Sequence, residues 1–261
     1  MQPALWIAKT GLSAQDFKLA TIANNLANVS TTGFKRDTAT FQDLLYQTQQ
    51  SPGGPTSSNT ALPSGLNIGT GVRIGSTMKQ FTEGSISVTS QPLDIAINGR
   101  GFLQVMLPDG TTAYTRDGSL QMNNQGQLVT AQGYTVQPTI TIPPQVTQVT
   151  IGADGTISYN NPTTNLPTQL GQITIADFIN PQGLQPLGDN LYQESGSSGT
   201  AVISPPAING MGSLQQGALE TSNVNIVTEM VDMIAAQRAY EMNSKVIATA
   251  DQMMQFVTQN M

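Results

Sequence analysis

The chain of 261 residues contains no cysteine, no histidine and one tryptophan, and only 10% of its residues are charged. The absence of cysteine excludes disulfide frameworks, thiol nucleophiles and cysteine-ligated zinc. The absence of histidine removes the commonest general base and the commonest transition-metal ligand. Catalysis would have to rest on carboxylates, tyrosine or lysine, so we expect no enzyme, no cofactor and no metal site.

Positive charge is scarce, with 10 Lys and Arg against 16 Asp and Glu, a formal net charge of −6. No Lys or Arg lies between Arg116 and Arg238, an interval that holds several carboxylates. Because phosphate contacts need Lys and Arg, we do not expect nucleic acid as a partner.

The sequence has no visible cleavable leader or membrane span. A secretory signal needs a cationic end followed by an apolar run, whereas residues 1–8 are neutral and are followed at once by Lys9 and Thr10. No apolar run approaches the length of a membrane-spanning helix. Two interpretations remain open: a cytoplasmic protein, or export by a machine that does not use a cleavable leader.

Both ends of the chain carry apolar residues at regular spacing. The amino-terminal set recurs every seven residues at Leu5, Leu12, Leu19 and Leu26, with Ala8, Ile22 and Val29 interleaved. The carboxy-terminal set has the same spacing at Ile226, Met233, Tyr240, Ile247 and Met254, with Ala236, Ala250 and Val257 interleaved. This spacing predicts two helices with heptad seams, of roughly 27 and 34 residues. We expect Gly33 to end the first helix and Asn223 or Asn225 to cap the second.

Apolar residues also lie off both seams. Off the first seam lie Trp6, Ile7 and Phe17, and off the second lie Val227, Met230, Val231, Ile234, Met242, Val246, Met253 and Phe256. A hairpin within one chain would cover only one side of each helix, whereas a helix that is apolar on several sides must be buried on several sides. We therefore expect both ends to be loosely ordered in the free subunit and to fold against neighbouring copies, in a ring or an open helical filament.

The chain between the helices has the pattern of an antiparallel β domain from about residue 91 to 204. Alternating residues predict strands at 94–99, 101–106, 133–137 and 146–151, and Asp-Gly pairs at 109–110, 117–118 and 154–155 predict turns. Ahead of this domain, residues 51–71 are rich in proline and glycine and carry no charge, which predicts a loop or an extended strap. The fold class predicted is α+β, with the terminal helices paired as a coiled coil and an extended segment linking them to the β domain.

Three asparagines, Asn24, Asn25 and Asn28, lie near the predicted end of the first helix, although asparagine is a weak helix former. Two interpretations are open. The helix frays there, or the amides bond across subunits and fix register, as polar seam residues do in coiled coils. The Lys35-Arg36 pair that follows is expected to be solvated.

Both ends of the chain carry motifs that resemble those of one known family. Residues 22–36, Ile-Ala-Asn-Asn-Leu-Ala-Asn-Val-Ser-Thr-Thr-Gly-Phe-Lys-Arg, closely resemble the amino-terminal motif of the bacterial flagellar rod and hook proteins. Residues 220–225, Glu-Thr-Ser-Asn-Val-Asn, with Gln-Arg-Ala-Tyr-Glu at 237–241, resemble their carboxy-terminal motif. The residues carried over from the family motifs are Asn24, Asn25, Asn28, Gly33, Phe34, Lys35, Arg36, Ser222, Asn223, Asn225 and Arg238.

Segments between the ends extend the resemblance over essentially the whole chain. Residues 44–48, 62–65 and 68–73 are similar to the distal-rod branch of the family, and residues 104–110 and 113–118 carry the likeness into the middle domain. The stretch from about residue 160 to 168 is not matched.

The resemblance implies a structural subunit of the distal rod, which assembles into a rigid hollow drive shaft. It implies an inner tube made of residues 1–33 and 222–261, a connecting segment at 34–90 and 205–221, and an outer β domain at 91–204. A rod-type strap at 46–73 would fill space between subunits and block their sliding. The residues implied to pack in the inner tube are Leu5, Leu12, Leu19, Ile22, Leu26, Ile226, Met233, Tyr240, Ile247 and Met254.

The partners implied are other copies of the chain, the proximal rod proteins, the hook protein, and the proteins of the peptidoglycan and outer-membrane rings. The implied location is the flagellar basal body, across the periplasm but not spanning a membrane, after type III export without a cleaved leader. The alternative within the family is a proximal rod or hook subunit, although the hook member is usually longer.

Outside the family, a secreted adhesin-like binding module would fit the polar β domain, but it would not need two apolar ends. An enzyme of the glycosidase type would need a pair of carboxylates. The candidates Asp154, Asp177 and Asp189 are as readily explained as turn residues.

Overall fold

The computed structural model describes residues 2–50, 55–57, 60–61, 64–143, 146, 148–160 and 166–259. The chain forms two compact units. Unit 1 consists of Met1–Leu26, Asp37–Met78 and Asn225–Met261, and unit 2 of Ala27–Arg36 and Lys79–Val224. The two ends of the chain therefore belong to one unit, and the middle of the chain makes the other.

Unit 1 contains the two helices predicted from the heptad spacing. Helix α1 is Gln2–Ala27, with 26 residues, and α2 is Ile226–Gln259, with 34 residues, so the predicted lengths are confirmed. The prediction that Gly33 ends α1 is wrong. The helix ends earlier because Asn28 starts a turn, in which its backbone O accepts from Thr31 N at 3.2 Å and its side-chain Oδ1 accepts from Thr31 Oγ1 at 3.2 Å.

Asn225 caps the amino end of α2. Its Oδ1 accepts hydrogen bonds from the backbone N of Val227 at 3.0 Å and of Thr228 at 3.3 Å. These bonds satisfy two of the free N–H groups that begin every helix. Of the two candidate caps, Asn225 therefore has this role, and Asn223 is used elsewhere.

Short strands complete unit 1. They are β1 Asp37–Asp43, β2 Gln47–Gln50, β3 Pro55–Ser57, β4 Thr60–Ala61, β5 Leu66–Ile68 and β6 Val72–Lys79, the last ending one residue beyond the unit boundary. Strand β1 pairs with β6, β2 with β5, and β3 with β4. Parts of the predicted strap, residues 51–54, 58–59 and 62–63, lie outside the described residues.

Unit 2 is built from strands, as predicted for the middle of the chain. They are β7 Ile86–Val88, β8 Ile95–Asn98, β9 Phe102–Met106, β10 Thr112–Thr115, β11 Leu120–Met122, β12 Leu128–Thr130, β13 Thr135–Gln137, β14 Val149–Ile151, β15 Thr156–Asn160, β16 Pro167–Gln172, β17 Ile175–Asp177, β18 Gln185–Gly188, β19 Leu191–Gln193, β20 Val202–Ser204, β21 Ser213–Gln216 and β22 Ala218–Glu220, with a single 3₁₀ turn at Pro181–Gly183. Strands β8, β9, β13 and β14 confirm the four predicted runs. Thr147, in the last run, and residues 161–165, in the unmatched stretch, lie outside the described residues.

The strands of unit 2 pair antiparallel throughout the part of the chain that the structure describes. The largest sheet has nine strands in the order β11-β12-β13-β9-β10-β19-β18, with β17 beside β9 and β20 beside β17. Strands β14, β15 and β16 form a second sheet, while β21 pairs with β8 and β22 with β7. The last two strands of the unit thus pair with its first two.

Two apolar clusters fill unit 2. The larger is mainly branched aliphatic, with Leu103, Val105, Ile157, Ile173 and Ile175 essentially inaccessible. The smaller is aromatic and contains Phe81, Phe102, Tyr114, Phe178 and Tyr192, whose rings meet edge to face at centroid distances of 4.8 to 6.0 Å. Phe102 belongs to the aromatic cluster and its neighbour Leu103 to the aliphatic one, so the two clusters cover opposite sides of β9.

Candidate functional site

The predicted seam of α2 lies on the side of the helix that packs within unit 1. Of its interleaved residues, Ala236 and Ala250 are buried, and the side chain of Val257 lies outside the described part of the structure. Glu229, seven residues before Ala236, is also buried. Met233, Ile247 and Met254 are half-buried, and Ile226 and Tyr240 remain 47% and 36% exposed. The most buried apolar positions are alanines, so the helix makes its closest approaches through small side chains.

The predicted seam of α1 is covered in the same way. Leu5, Leu12, Leu19 and Leu26 are half-buried, and Ala8 and Ile22 are buried. The two helices meet at a small residue, since a Cβ added to Gly11 would lie 3.2 Å from Nδ2 of Asn243.

The outer side of α2 carries a row of exposed apolar residues. The eight apolar residues predicted to lie off the seam are all exposed, with relative exposures from 47% to 71%: Val227, Met230, Val231, Ile234, Met242, Val246, Met253 and Phe256. At 100° per residue they occupy the side opposite the seam. The exposed Arg238 of the family motif lies among them. We call these eight residues the outer stripe. Contiguous exposed apolar residues mark interaction surfaces.

Asn25 joins three elements of unit 1. It is 1% exposed, its Oδ1 accepts from Asp37 N at 2.9 Å, and its Nδ2 donates to Asp37 O at 2.9 Å. Nδ2 also lies 3.3 Å from Oε2 of Glu229 on α2. The helix does not fray at Asn25, whose amide links α1, β1 and α2 within one chain, and bonding of the motif across subunits stays a prediction. Asn24 is exposed and Asn28 forms the turn after the helix.

Lys35 is buried, which corrects the expectation of a solvated pair. Its Nζ lies 2.6 Å from Oε1 of Glu220 and donates to Thr82 O at 2.8 Å. The same Oε1 accepts from Gly84 N at 2.9 Å, and Oε2 lies 3.2 Å from Nη1 of Arg116. The side chains of Lys35 and Glu220 are fully buried, so the carboxylate is satisfied by two cations and a backbone N–H in a dry environment.

Burial lowers the pKa of the Lys35 ammonium below its ordinary value of 10.5, and the attraction of Glu220 opposes only part of that shift. The folded chain therefore releases this proton at a lower pH than the unfolded chain does. Between the two pKa values the unfolded state binds more protons, so Lys35 makes the free energy of unfolding rise with pH through that interval. We expect Lys35→Met to remove this alkaline rise in urea titrations, whereas an unchanged pH dependence would contradict it.

Asn223 and Arg36 are linked beside this network. Oδ1 of Asn223 accepts from Arg36 N at 2.8 Å, and its Nδ2 donates to Gln80 O at 2.8 Å and to Thr82 Oγ1 at 2.9 Å. Ser222, the preceding motif residue, accepts from Val224 N at 3.3 Å. The motifs from the two ends of the chain thus meet in unit 2 through Asn223 and through Glu220.

Gly33 has a backbone role beside the same network. Its φ is +67°, and its N donates to Glu220 O at 2.8 Å. A Cβ at this position would lie 2.8 Å from the backbone C of Arg116. Phe34, the next residue, is buried, with the ammonium of Lys79 5.2 Å from its ring centroid.

Gly33→Ala is expected to destabilise unit 2 by about 2–4 kcal/mol, from left-handed strain of ~1–2 kcal/mol and the clash with the backbone of Arg116. Gly133→Ala is the matched control, because Gly133 has φ +91° and open space where a Cβ would lie. We expect the control to lose only ~1 kcal/mol in the same urea titration. Equal losses in both variants would show that the close approach to Arg116 has no cost.

The carboxylates considered for catalysis have structural roles. Oδ1 of Asp154 accepts from Thr156 Oγ1 at 2.7 Å, a bond that lowers the pKa of this exposed carboxyl, and Asp177 pairs with Arg100 at 3.1 Å. Asp189 lies in a turn with φ +51°.

Among the described residues, no three acidic side chains gather where they could hold a metal ion. In that same part of the chain, neither helix combines the length and hydropathy needed to cross a bilayer.

Sequence reasoning missed Glu220 and Arg116 as members of the buried network. The available signal was the alternation of residues along β21 and β22. Every second residue from Leu214 to Glu220 is buried, except Gln216, which is half-buried. A carboxylate on an inward strand position requires a cation, but the sequence does not show which one.

Three models of known protein families match successive segments of the chain, and all three describe flagellar rod or hook proteins. The family described as "Flagella basal body rod protein" matches residues 5–35, "Flagellar hook protein FlgE/F/G D1 domain" matches 96–159, and "Flagellar basal body rod FlgEFG protein C-terminal" matches 215–260. Two of these three segments cover most of the terminal helices and their motifs.

Relatives from three distant bacteria match nearly end to end, each named flagellar basal-body rod protein FlgG. The relative from Buchnera aphidicola subsp. Schizaphis graminum is 52% identical over 99% of this chain and 100% of its own length. The Borreliella burgdorferi protein is 49% identical over 97% of both chains, and the Bacillus subtilis protein is 38% identical over 98% of this chain and 97% of its own. The chain therefore belongs to the family of flagellar basal-body rod proteins.

Proposed function

We propose that this chain is a structural subunit of the distal flagellar rod, whose copies assemble into a hollow helical shaft that passes torque from the motor to the hook. The outer stripe of α2 carries the proposal, because eight apolar side chains are exposed opposite a side already covered by the chain itself. Burial of each against a neighbouring copy would contribute about 1.5–3 kcal/mol. A helix covered on both sides resists bending, since bending would open packed contacts.

The proposed assembly has three layers. Residues 1–33 and 222–261 would pair as a coiled coil and form the inner tube, and residues 91–204 would form the outer layer. Residues 34–90 and 205–221 would connect them. The contact of Gly11 with Asn243 and the bond between Asn25 and Glu229 support the pairing of α1 with α2.

The proposed partners are other copies of the chain, the proximal rod and hook proteins, and the proteins of the peptidoglycan and outer-membrane rings. The proposed location is the part of the basal body that crosses the periplasm. In this role the chain needs no cofactor and catalyses no reaction, and its few cations make nucleic acid an unsuitable partner.

The test is electron microscopy of the purified, concentrated protein. We expect straight tubes of fixed diameter, and a protein that stays monomeric at high concentration would contradict the proposal. A proximal rod or hook subunit, the alternative within the family, would give short or curved assemblies. An adhesin-like module would give none.

We further propose that the strap at residues 46–73 stiffens the shaft by filling space between copies. Leu45, Tyr46 and Leu66 in the strap region are 89%, 60% and 50% exposed, which suits them to contact a neighbour. The ends of the strap are held together, since Leu44 N donates to Gly71 O at 2.9 Å and Thr70 Oγ1 to Leu45 O at 2.6 Å.

Because its ends meet, the strap can be shortened without opening its base. We expect replacement of residues 47–68 by two glycines to leave subunit stability nearly unchanged and to give tubes that bend more readily. The measurement is the persistence length of the tubes in electron micrographs. Tubes as stiff as those of the unmodified protein would exclude this role for the strap.

A further inference from the structure

The sequence Ala-Ile-Asn-Gly occurs twice in the chain, at residues 96–99 and 207–210. Asparagine is followed by glycine nowhere else in the sequence. An Asn-Gly pair is chemically reactive in water, because glycine has no side chain to keep its backbone N away from the preceding side-chain amide. Both copies of the tetrapeptide lie in unit 2, but their surroundings differ.

The first copy is held by ordered backbone. Ile95–Asn98 form β8, and Asn98 pairs with Ser213 of β21. The backbone N of Gly99 donates to Oε1 of Glu83 at 2.9 Å. A Cβ added to Gly99 would lie 2.9 Å from Cα of Gly212, so other backbone closely surrounds this position. The N of Gly99 therefore cannot turn toward the side chain of Asn98 until these contacts open.

The second copy lies in the exposed turn between β20 and β21. All four of its residues are exposed. Within the described part of the chain, the backbone N of Gly210 donates no hydrogen bond, and a Cβ added to Gly210 would meet nothing within 4 Å. Asn209 has φ +55°, in the left-handed region, and its Nδ2 donates to Ser204 Oγ at 3.3 Å. The amide of Asn209 and the N of Gly210 are therefore open to water and weakly held.

We propose that Asn209 is a site of spontaneous modification, at which the side-chain amide becomes a carboxylate. The backbone N of Gly210 loses its proton and attacks Cγ of Asn209, which closes a succinimide ring. The bond from Cγ to Nδ2 breaks, and ammonia leaves with that proton. Water then opens the ring at either carbonyl carbon and gives aspartate or isoaspartate. The reaction consumes water and needs no other reactant.

Modification would change both the charge and the backbone of this turn. The new carboxylate adds one negative charge to the formal net charge of −6, and isoaspartate also adds a carbon to the main chain. The turn is closed by bonds from Ala207 N to Gly212 O at 2.9 Å and from Met211 N to Ile208 O at 3.0 Å, and Met211 is buried in the aliphatic cluster. The added carbon would therefore disturb the bonds that hold Met211 in the core. This inference does not depend on the proposed function.

The test compares the two copies of the tetrapeptide in one sample of the unmodified protein. The protein is incubated at mildly alkaline pH, and mass spectrometry of its proteolytic peptides follows conversion at Asn98 and Asn209. We expect Asn209 to convert at least about tenfold faster, because the first copy must break a hydrogen bond to a charged group before it can react. In urea the two rates should become similar, because the tetrapeptide is the same. Equal rates in the folded protein, or no conversion at Asn209, would overturn the inference.

Two variants check the assignment independently. Asn209→Gln would have to close a larger and less favoured ring, so we expect the acidic species to disappear from ion-exchange profiles of the incubated protein. Its formation at an unchanged rate would overturn the inference. Glu83→Ala removes the acceptor of the Gly99 N–H, and we expect faster conversion at Asn98 with no change at Asn209. An unchanged rate at Asn98 would contradict the protection proposed for the first copy.

Discussion

Replacing Glu220 with glutamine is expected to cost about 3–5 kcal/mol of unfolding free energy, because the buried cations of Lys35 and Arg116 would lose the charge that compensates them. The glutamine keeps the shape of the side chain, so the loss reports charge and not packing. Both cations are almost completely inaccessible, with side-chain exposures of 0% and 4%, and water cannot replace the carboxylate. Urea denaturation at neutral pH measures the effect.

Two comparison variants isolate the buried charge. Lys35→Met combined with Glu220→Gln removes one cation together with the anion, and we expect it to be more stable than Glu220→Gln alone. Asp177→Asn breaks the ion pair with Arg100, whose side chain is 64% exposed, and should cost no more than about 1 kcal/mol. A loss for Glu220→Gln as small as that for Asp177→Asn would show that the network does not need its anion.

Val231→Lys is expected to abolish tube formation, or to raise the protein concentration needed for it more than about tenfold, while leaving the monomer as stable as before. Val231 lies in the middle of the first half of the outer stripe and is 60% exposed, so the substitution disturbs no packing within the chain. In an assembly the ammonium would be buried against a neighbour without a partner, which costs well over the ~1.4 kcal/mol that a tenfold change represents. Sedimentation over a concentration series gives the measurement.

Gln132→Lys serves as the control for added charge, because it places the same ammonium on an exposed loop of unit 2. We expect this variant to assemble at the concentration that the unmodified protein needs. Normal tubes from Val231→Lys would mean that the outer stripe is not an interface between copies, and the proposed function would lose its main support.

The two helices and four strands of the middle domain were predictable because they follow from periodicity. Residues such as Leu12 and Ile247 mark the covered sides of α1 and α2. Leu103 and Val105 mark one side of β9, whose other side is buried as well. The spacing of apolar residues shows which side of a helix or strand is buried, and this relation involves only residues close together in the chain. A single sequence is therefore enough to predict such elements.

The polar interior was not predictable, because it depends on which distant residues meet. Lys35 was expected to be solvated, as lysine usually is, and only the arrival of Glu220, 185 positions away in the chain, makes its burial possible. Asn25 likewise bonds to Asp37 and Glu229, which lie 12 and 204 positions away in the same chain. The spacing of residues along the chain does not predict which distant side chains will pair. A polar residue in an apolar segment indicates only that it needs a hydrogen-bond or charge partner.

The pairing of β21 with β8 and of β22 with β7 has a consequence for the order of folding. Residues 213–220 complete unit 2, although they come after every other strand of the chain. In a chain that becomes available amino end first, the backbone of Ile95 and Ile97 therefore lacks its partner strand until β21 is present. Unit 2 is consequently completed at about the time when the first residues of α2, which begins at Ile226, become available.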